Sequence, residues 1–148
     1  MAVRIFEEIP GLKVSGKRQV NAWIKDCVRK EHRKAGTINI ILVSDKRLLE
    51  INRTYLNHNY YTDIITFNYN QKDVISGDLY ISLKRVIENA KEFNISEVNE
   101  LLRVIIHGVL HLIGYNDKKK NEQGIMRGKE DLYLKGIEEG GIKIHGKI

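Results

Sequence analysis

A segment that is oily on every side leaves a chain few ways to fold. Between Leu101 and Ile113 only Arg103, His107, Gly108 and His111 interrupt an apolar run. A helix that is apolar nearly all round has to sit in the middle of its protein, with the other elements wrapped about it. Ser96 is placed to cap its first turn, and Glu97 and Glu100 suit the positive end of the helix dipole. Gly114 can end it in the left-handed conformation, which would turn Asn116-Asp117 back towards the face carrying His107 and His111.

The rest of the chain has to supply the wrapping. Val3 to Phe6 reads as a first strand, stopped by the turn signal Pro10-Gly11. From Lys17 to about Lys34 the residues Val20, Trp23, Ile24, Cys27 and Val28 recur at helical spacing, with basic residues including Lys25 and Arg29 on the remaining faces. That basic side is either a solvated amphipathic surface or an RNA-contacting one. Thr37 to Val43 predicts a strand, Ser44-Asp45 caps a helix running to Tyr55, and a polar aromatic loop leads into a strand over Thr62 to Phe67. Within that loop His58, Tyr60 and Tyr61 could stack bases or contact phosphates, or could simply pack. A strand at Leu79-Tyr80-Ile81 is followed by a Ser82-capped helix through about Phe93. Beyond Lys118 a last helix to about Leu134 offers Ile125, Met126, Leu132 and Tyr133 as its core face. The expected fold is α/β with an α+β-like order: about four strands flanked by helices, with a central buried helix.

A chain of 148 residues fits one domain over 1–148, with a glycine-rich tail from about residue 138 expected to be mobile. Cys27 is the only cysteine, so no internal disulfide forms, and a reducing, cytoplasmic location is expected. Acidic residues stand near the N-terminus where a signal peptide would be apolar, and no run reaches membrane-spanning length, so no membrane partner is expected. The net charge of +6 favours an anionic partner, though solvated surfaces carry such an excess too.

His107 and His111, four apart, lie one turn apart on one helix face and can share an ion. The alternative is a hydrogen-bonded pair of core histidines. Asp117, six residues after the second histidine and past a glycine, is a ligand-competent carboxylate. Three such ligands leave one position open, as in hydrolytic rather than structural metal sites. The protease motif H-E-x-x-H places its general base directly after the first histidine, where this chain has Gly108.

His107-Gly108-x-Leu110-His111-Leu112-x-Gly114-Tyr115, preceded by residues 62–67 (TDIITF) and by Gly77-Asp78-Leu79-x-Ile81, resembles the YbeY family of bacterial ribosomal RNA maturation factors. The resemblance runs from about Ile38 to Leu134. It implies a mixed four-stranded α/β domain with a zinc-binding helix, and a metal-dependent, single-strand-specific endoribonuclease that processes ribosomal RNA, notably the small-subunit 3′ end, and serves ribosome quality control. The implied partners are ribosomal RNA and the small ribosomal subunit, extending to ribosomal proteins or a ribosome-assembly GTPase. The family's three metal histidines fall on His107, His111 and Asp117, so this chain would hold one divalent ion per chain, and would use those residues in catalysis, with a carboxylate in the third place. Such a set admits zinc and suits harder ions such as manganese better than three histidines do. Asn116 replaces the family's usual aspartate. Leu56 stands where relatives carry an arginine thought to touch RNA, and Arg53, one turn earlier, could serve that face. The expected RNA contacts are Arg53, His58, Tyr60, Tyr61, Lys25 and Arg29. Two other functions fit the same residues: a metalloprotease-like hydrolase, and a non-catalytic ribosome-binding protein with a structural metal.

Overall fold

The computed structural model describes residues 2–146. Its main sheet has the strand order β1 (Val3–Glu7), β3 (Lys34–Val43), β5 (Val74–Ser82), β4 (Ile64–Asn68). β1 and β5 run parallel to β3, and β4 closes the far edge antiparallel to β5. The alternation of side chains along β3 builds two cores. Ile38, Ile40 and Leu42 face a large cluster shared with α1 (Lys17–Lys30), α3 (Leu83–Phe93) and α4 (Glu97–Ile113). Ile41 and Val43 face a small one against Leu48 and Ile51 of α2 (Asp45–Leu56).

The expected α/β fold with a mixed four-stranded sheet is what forms, and α4 is its centre. Its buried residues include Leu102, Ile105, Ile106, Val109 and Leu110. The three serines predicted to cap helices do so: Ser44, Ser82 and Ser96 accept from the amides of Arg47 at 3.1 Å, Arg85 at 3.3 Å and Asn99 at 2.9 Å.

Two glycines allow α4 to lie directly on the sheet. A Cβ on Gly108 would come 2.7 Å from Ile64 Cδ1 and 3.1 Å from both δ carbons of Leu79. A Cβ on Gly77 of β5 would come 2.4 Å from the Phe67 carbonyl oxygen and 2.8 Å from Leu112 Cδ2. The backbone approach, and not an unusual torsion, is what demands glycine here.

Several expected boundaries move. α1 stops at Lys30, because His32 takes φ 62 and the chain enters β3 at Lys34. The core face of α5 (Lys120–Leu134) is Met126, Glu130 and Tyr133, an i, i+4, i+7 stripe, while Ile125 and Leu132, seven apart on another side, are exposed. The described part of the tail carries secondary structure. β6 (Lys143–His145) pairs antiparallel with β2 (Lys13–Ser15), and Ile142 is buried, so even a sparsely apolar segment gains a ladder and one core side chain. Lys147 and Ile148 lie outside the described residues. Among the described residues no helix is long and apolar enough to cross a membrane.

Candidate metal centre

The last turn of α4 is closed from three directions. Gly114, at φ 126, carries the turn out of the helix, and its amide and that of Tyr115 both return to the Leu110 carbonyl, at 3.1 and 3.0 Å. Asn70, in the β4–β5 turn, donates its side-chain amide to the Leu112 carbonyl at 2.7 Å. The chain then folds back, as the glycine predicted, and brings Asp117 over the histidines. Asp117 Oδ2 lies 3.2 Å from His107 Nε2 and 3.3 Å from His111 Nε2, and the two imidazole nitrogens are 3.0 Å apart.

That triangle fits a metal ion. Ligand atoms on one face of a tetrahedron, with bonds of about 2.0–2.1 Å, stand roughly 3.3 Å from one another. His107 and His111 are each about a quarter exposed, at 25% and 26%, and Asp117 is 38% exposed, so the side of the triangle away from the core is open to a further ligand.

The next layer of the site comes from α5. Glu130, 4% exposed, has Oε2 2.7 Å from His107 Nδ1 and Oε1 2.9 Å from Arg103 Nη1. Arg103 uses its other arm on Asp131 Oδ1 at 2.8 Å. Burial works against the Glu130 charge, but the hydrogen bonds and charges of His107 and Arg103 outweigh it and hold the carboxyl below its ordinary value. A carboxylate only accepts, so His107 donates from Nδ1 and turns Nε2 towards His111 and Asp117. Burial lowers the His107 pKa, yet the Glu130 hydrogen bond and charge, with Asp117 and Asp63 behind them, hold it above the usual imidazole range.

Beside the triangle lies a cavity of about 310 Å³ whose walls include Asp63, Glu100, Gln123 and Arg127. Asp63 is pushed above the usual carboxylate value by burial, against the pull of His107. Glu100, 5% exposed, is likewise raised by burial and by Asp63, and its Oε1 has no hydrogen-bond partner.

The expected RNA contacts fall into two groups away from this cavity. Arg53, at the end of α2, bonds Asn59, while His58 and Tyr60 stack with ring centres 5.1 Å apart. The Arg85 guanidinium, held by Asp45 at 2.9 Å, covers the Tyr61 ring at 4.8 Å. Buried Asn52 fixes this loop by donating to the Tyr60 carbonyl at 2.9 Å, and the loop ends at Asp63 in the cavity wall. Tyr60 and Tyr61 are about half exposed, at 54% and 51%. Lys25 and Arg29 line an open groove with Arg33 and Lys34, and Arg29 is already paired with Asp26.

Sequence patterning did not assign Glu130, Asp63 or Glu31 to the site, although Asp63 stood within the motif of residues 62–67. Glu31, at the end of α1, accepts from Tyr115 Oη at 2.5 Å, from Lys129 Nζ at 2.9 Å and from Tyr133, and so ties the loop before Asp117 to two helices. For Glu130 the available signal was its position between Met126 and Tyr133 on a helical stripe.

The packing of Gly108 also leaves no room for the general base of the H-E-x-x-H protease motif. A glutamate there would drive its carboxylate into Ile64 and Leu79 instead of reaching the metal face.

Comparison with known proteins agrees with this geometry. The family model described as Endoribonuclease YbeY matches residues 9–138. The Endoribonuclease YbeY of Parabacteroides distasonis is 45% identical over 94% of this chain and 98% of its own length. That of Bacteroides thetaiotaomicron is 48% identical over 86% of this chain and 90% of its own. The solution structure of TM1509 from Thermotoga maritima superposes with a TM-score of 0.64 at 32% identity, covering 90% of this chain and 87% of that one. With the match spanning nearly the whole fold and the ligand-bearing helix and loop inside it, the chain belongs to the YbeY endoribonuclease family.

Proposed function

We propose that this chain is a metal-dependent endoribonuclease that cleaves single-stranded ribosomal RNA, acting in the cytoplasm on the maturing 3′ end of the small-subunit RNA and in ribosome quality control. The observation that carries the reading is the triangle of His107 Nε2, His111 Nε2 and Asp117 Oδ2, with edges of 3.0 to 3.3 Å and one open side. These residues would hold one divalent ion, zinc or a harder ion such as manganese. When bound, it would supply a Lewis acid for a phosphoryl oxygen and for water.

The remaining work belongs to the chain itself. Glu130 holds His107 in the ligating orientation, and Asp117 offsets positive charge at the opening. Arg53 and His58, with the half-exposed Tyr60 and Tyr61, would grip and stack unpaired nucleotides at the edge of the loop that ends in the cavity wall. Lys25 and Arg29 would hold more distant backbone phosphates. The partners are ribosomal RNA and the small subunit, with ribosomal proteins or an assembly GTPase supplying access to the cleavage point.

The test is elemental analysis of the purified protein together with cleavage of single-stranded RNA. Wild type should carry one metal per chain and cut. His111→Ala and Asp117→Ala should lose metal and cleavage together while keeping their far-ultraviolet circular dichroism. Full cleavage by a folded, metal-free variant would sink the reading.

A further inference from the structure

We propose that Glu130 is a positioning residue that fixes the tautomer of His107, and that Arg103 sets which way Glu130 acts. The inference rests on the triad being a metal site, but it concerns atoms already in place. Glu130 is 4% exposed and makes two hydrogen bonds, Oε2 with His107 Nδ1 at 2.7 Å and Oε1 with Arg103 Nη1 at 2.9 Å, while the exposed Arg127 guanidinium stands farther off, 3.7 Å from Oε1. A neutral imidazole has one N–H and one lone pair. With Nδ1–H given to Glu130, the lone pair is at Nε2, 3.2 Å from Asp117 Oδ2 and 3.0 Å from His111 Nε2, where an ion would need it.

Arg103 makes the arrangement directional. A guanidinium only donates, so whichever oxygen faces it must accept. Glutamate satisfies both neighbours because both of its oxygens accept. Glutamine cannot. Its single carbonyl would turn to Arg103, and its NH₂ would face His107 Nδ1. That amide donates to Nδ1, moves the proton to Nε2 and blocks the ligating atom. Thus Glu130→Gln, nearly isosteric, should harm metal binding as much as Glu130→Ala, which a purely structural role for the side chain does not predict.

Three variants test this by zinc competition against a chromophoric chelator, with Asp131→Asn as control, since Asp131 takes only the outer arm of Arg103. Glu130→Gln and Glu130→Ala should bind zinc about 10–100-fold more weakly than wild type, the range typical for losing such a partner. Asp131→Asn should stay within about threefold of wild type. The double variant Arg103→Leu/Glu130→Gln leaves only the solvent-exposed Arg127, beyond hydrogen-bond distance at 3.7 Å, so the amide can turn its carbonyl to Nδ1 and zinc binding should recover to within about tenfold of wild type. Long-range ¹H–¹⁵N correlation spectra of metal-free protein, taken at a pH where His107 is neutral, should show the Nδ1–H tautomer in wild type and Nε2–H in Glu130→Gln. Glu130→Gln that stays folded and binds zinc like wild type, or a wild-type His107 in the Nε2–H form, overturns the proposal. Wild type that takes up no zinc overturns the metal reading instead, and the tautomer in the metal-free protein still decides whether Glu130 sets His107.

Discussion

The contact between α4 and the sheet can be tested with one methyl group. Gly77→Ala would place a Cβ 2.4 Å from the Phe67 carbonyl oxygen, and 2.8 and 3.0 Å from the δ carbons of Leu112. Leu112 could rotate, but the carbonyl belongs to the β4–β5 ladder, where Asn68 pairs with Gly77, so the strands themselves must part. Overpacking of this kind costs about 1–3 kcal/mol. Restricting the unfolded chain returns only about 0.4–1 kcal/mol. Gly124→Ala makes the same chemical change on exposed α5, where a Cβ meets nothing within 4 Å, and should stabilise by about 0.5–1 kcal/mol. Urea denaturation should therefore move the two midpoints in opposite directions with m unchanged, by up to about 1 M for Gly77→Ala. Since Leu112 adjoins His111, zinc uptake by Gly77→Ala should fall as well. If Gly77→Ala matches wild type in stability, the backbone approach is not what glycine serves, and the account of how α4 is seated fails.

Glu31→Gln tests the joint between α1 and the ligand loop. Burial pushes the Glu31 carboxyl up, but hydrogen bonds from Tyr115, Tyr133 and Lys129 outweigh it and hold the carboxyl below its usual 4.5. A lowered folded pKa means stability that is fully present above the unfolded value and drains away as pH falls through the folded one. Glu31→Gln should thus lose about 1.5–3 kcal/mol at pH 7, and the gap should close below pH 4.5 in denaturation curves; a gap independent of pH would refute the charge argument. RNA affinity should fall linearly with the logarithm of salt concentration, and Lys25→Ala should flatten the slope by about 0.7, the value for one phosphate contact on a single strand. An unchanged slope in a binding titration would remove Lys25 from the RNA path.

How far the sequence reached depended on whether a feature was local. The two histidines, the capping serines and the turn at Gly114 each occupy a few consecutive positions, where helix geometry alone relates one residue to the next. Glu130 sits between Lys129 and Asp131, and one-dimensional reading cannot say which of three charged neighbours faces α4. That depends on the rotational phase of α5, which is set by packing. Ile125 and Leu132 misled for the same reason, being apolar but out of phase with Met126 and Tyr133. The pairing of β2 with β6 joins three-residue strands across almost the whole chain, too short to show periodicity and too distant for any turn signal. The grouping of His107, His111 and Asp117 was legible as a helix plus a returning carboxylate, whereas its support by Glu130, Arg103 and Glu31 was not.

The placement of Glu130 after the ligands also imposes an order in time. A ribosome adds about 5–20 residues per second. His107 and Glu130 are separated by 23 positions, so the imidazole is added to the chain about 1–5 s before the carboxylate it meets. Glu31, by contrast, precedes Tyr115 by 84 positions and waits for the loop it will hold. The last turn of α4 is thus complete in the chain before the helix that gives His107 its partner, and the surroundings of His107 are finished only when α5 docks.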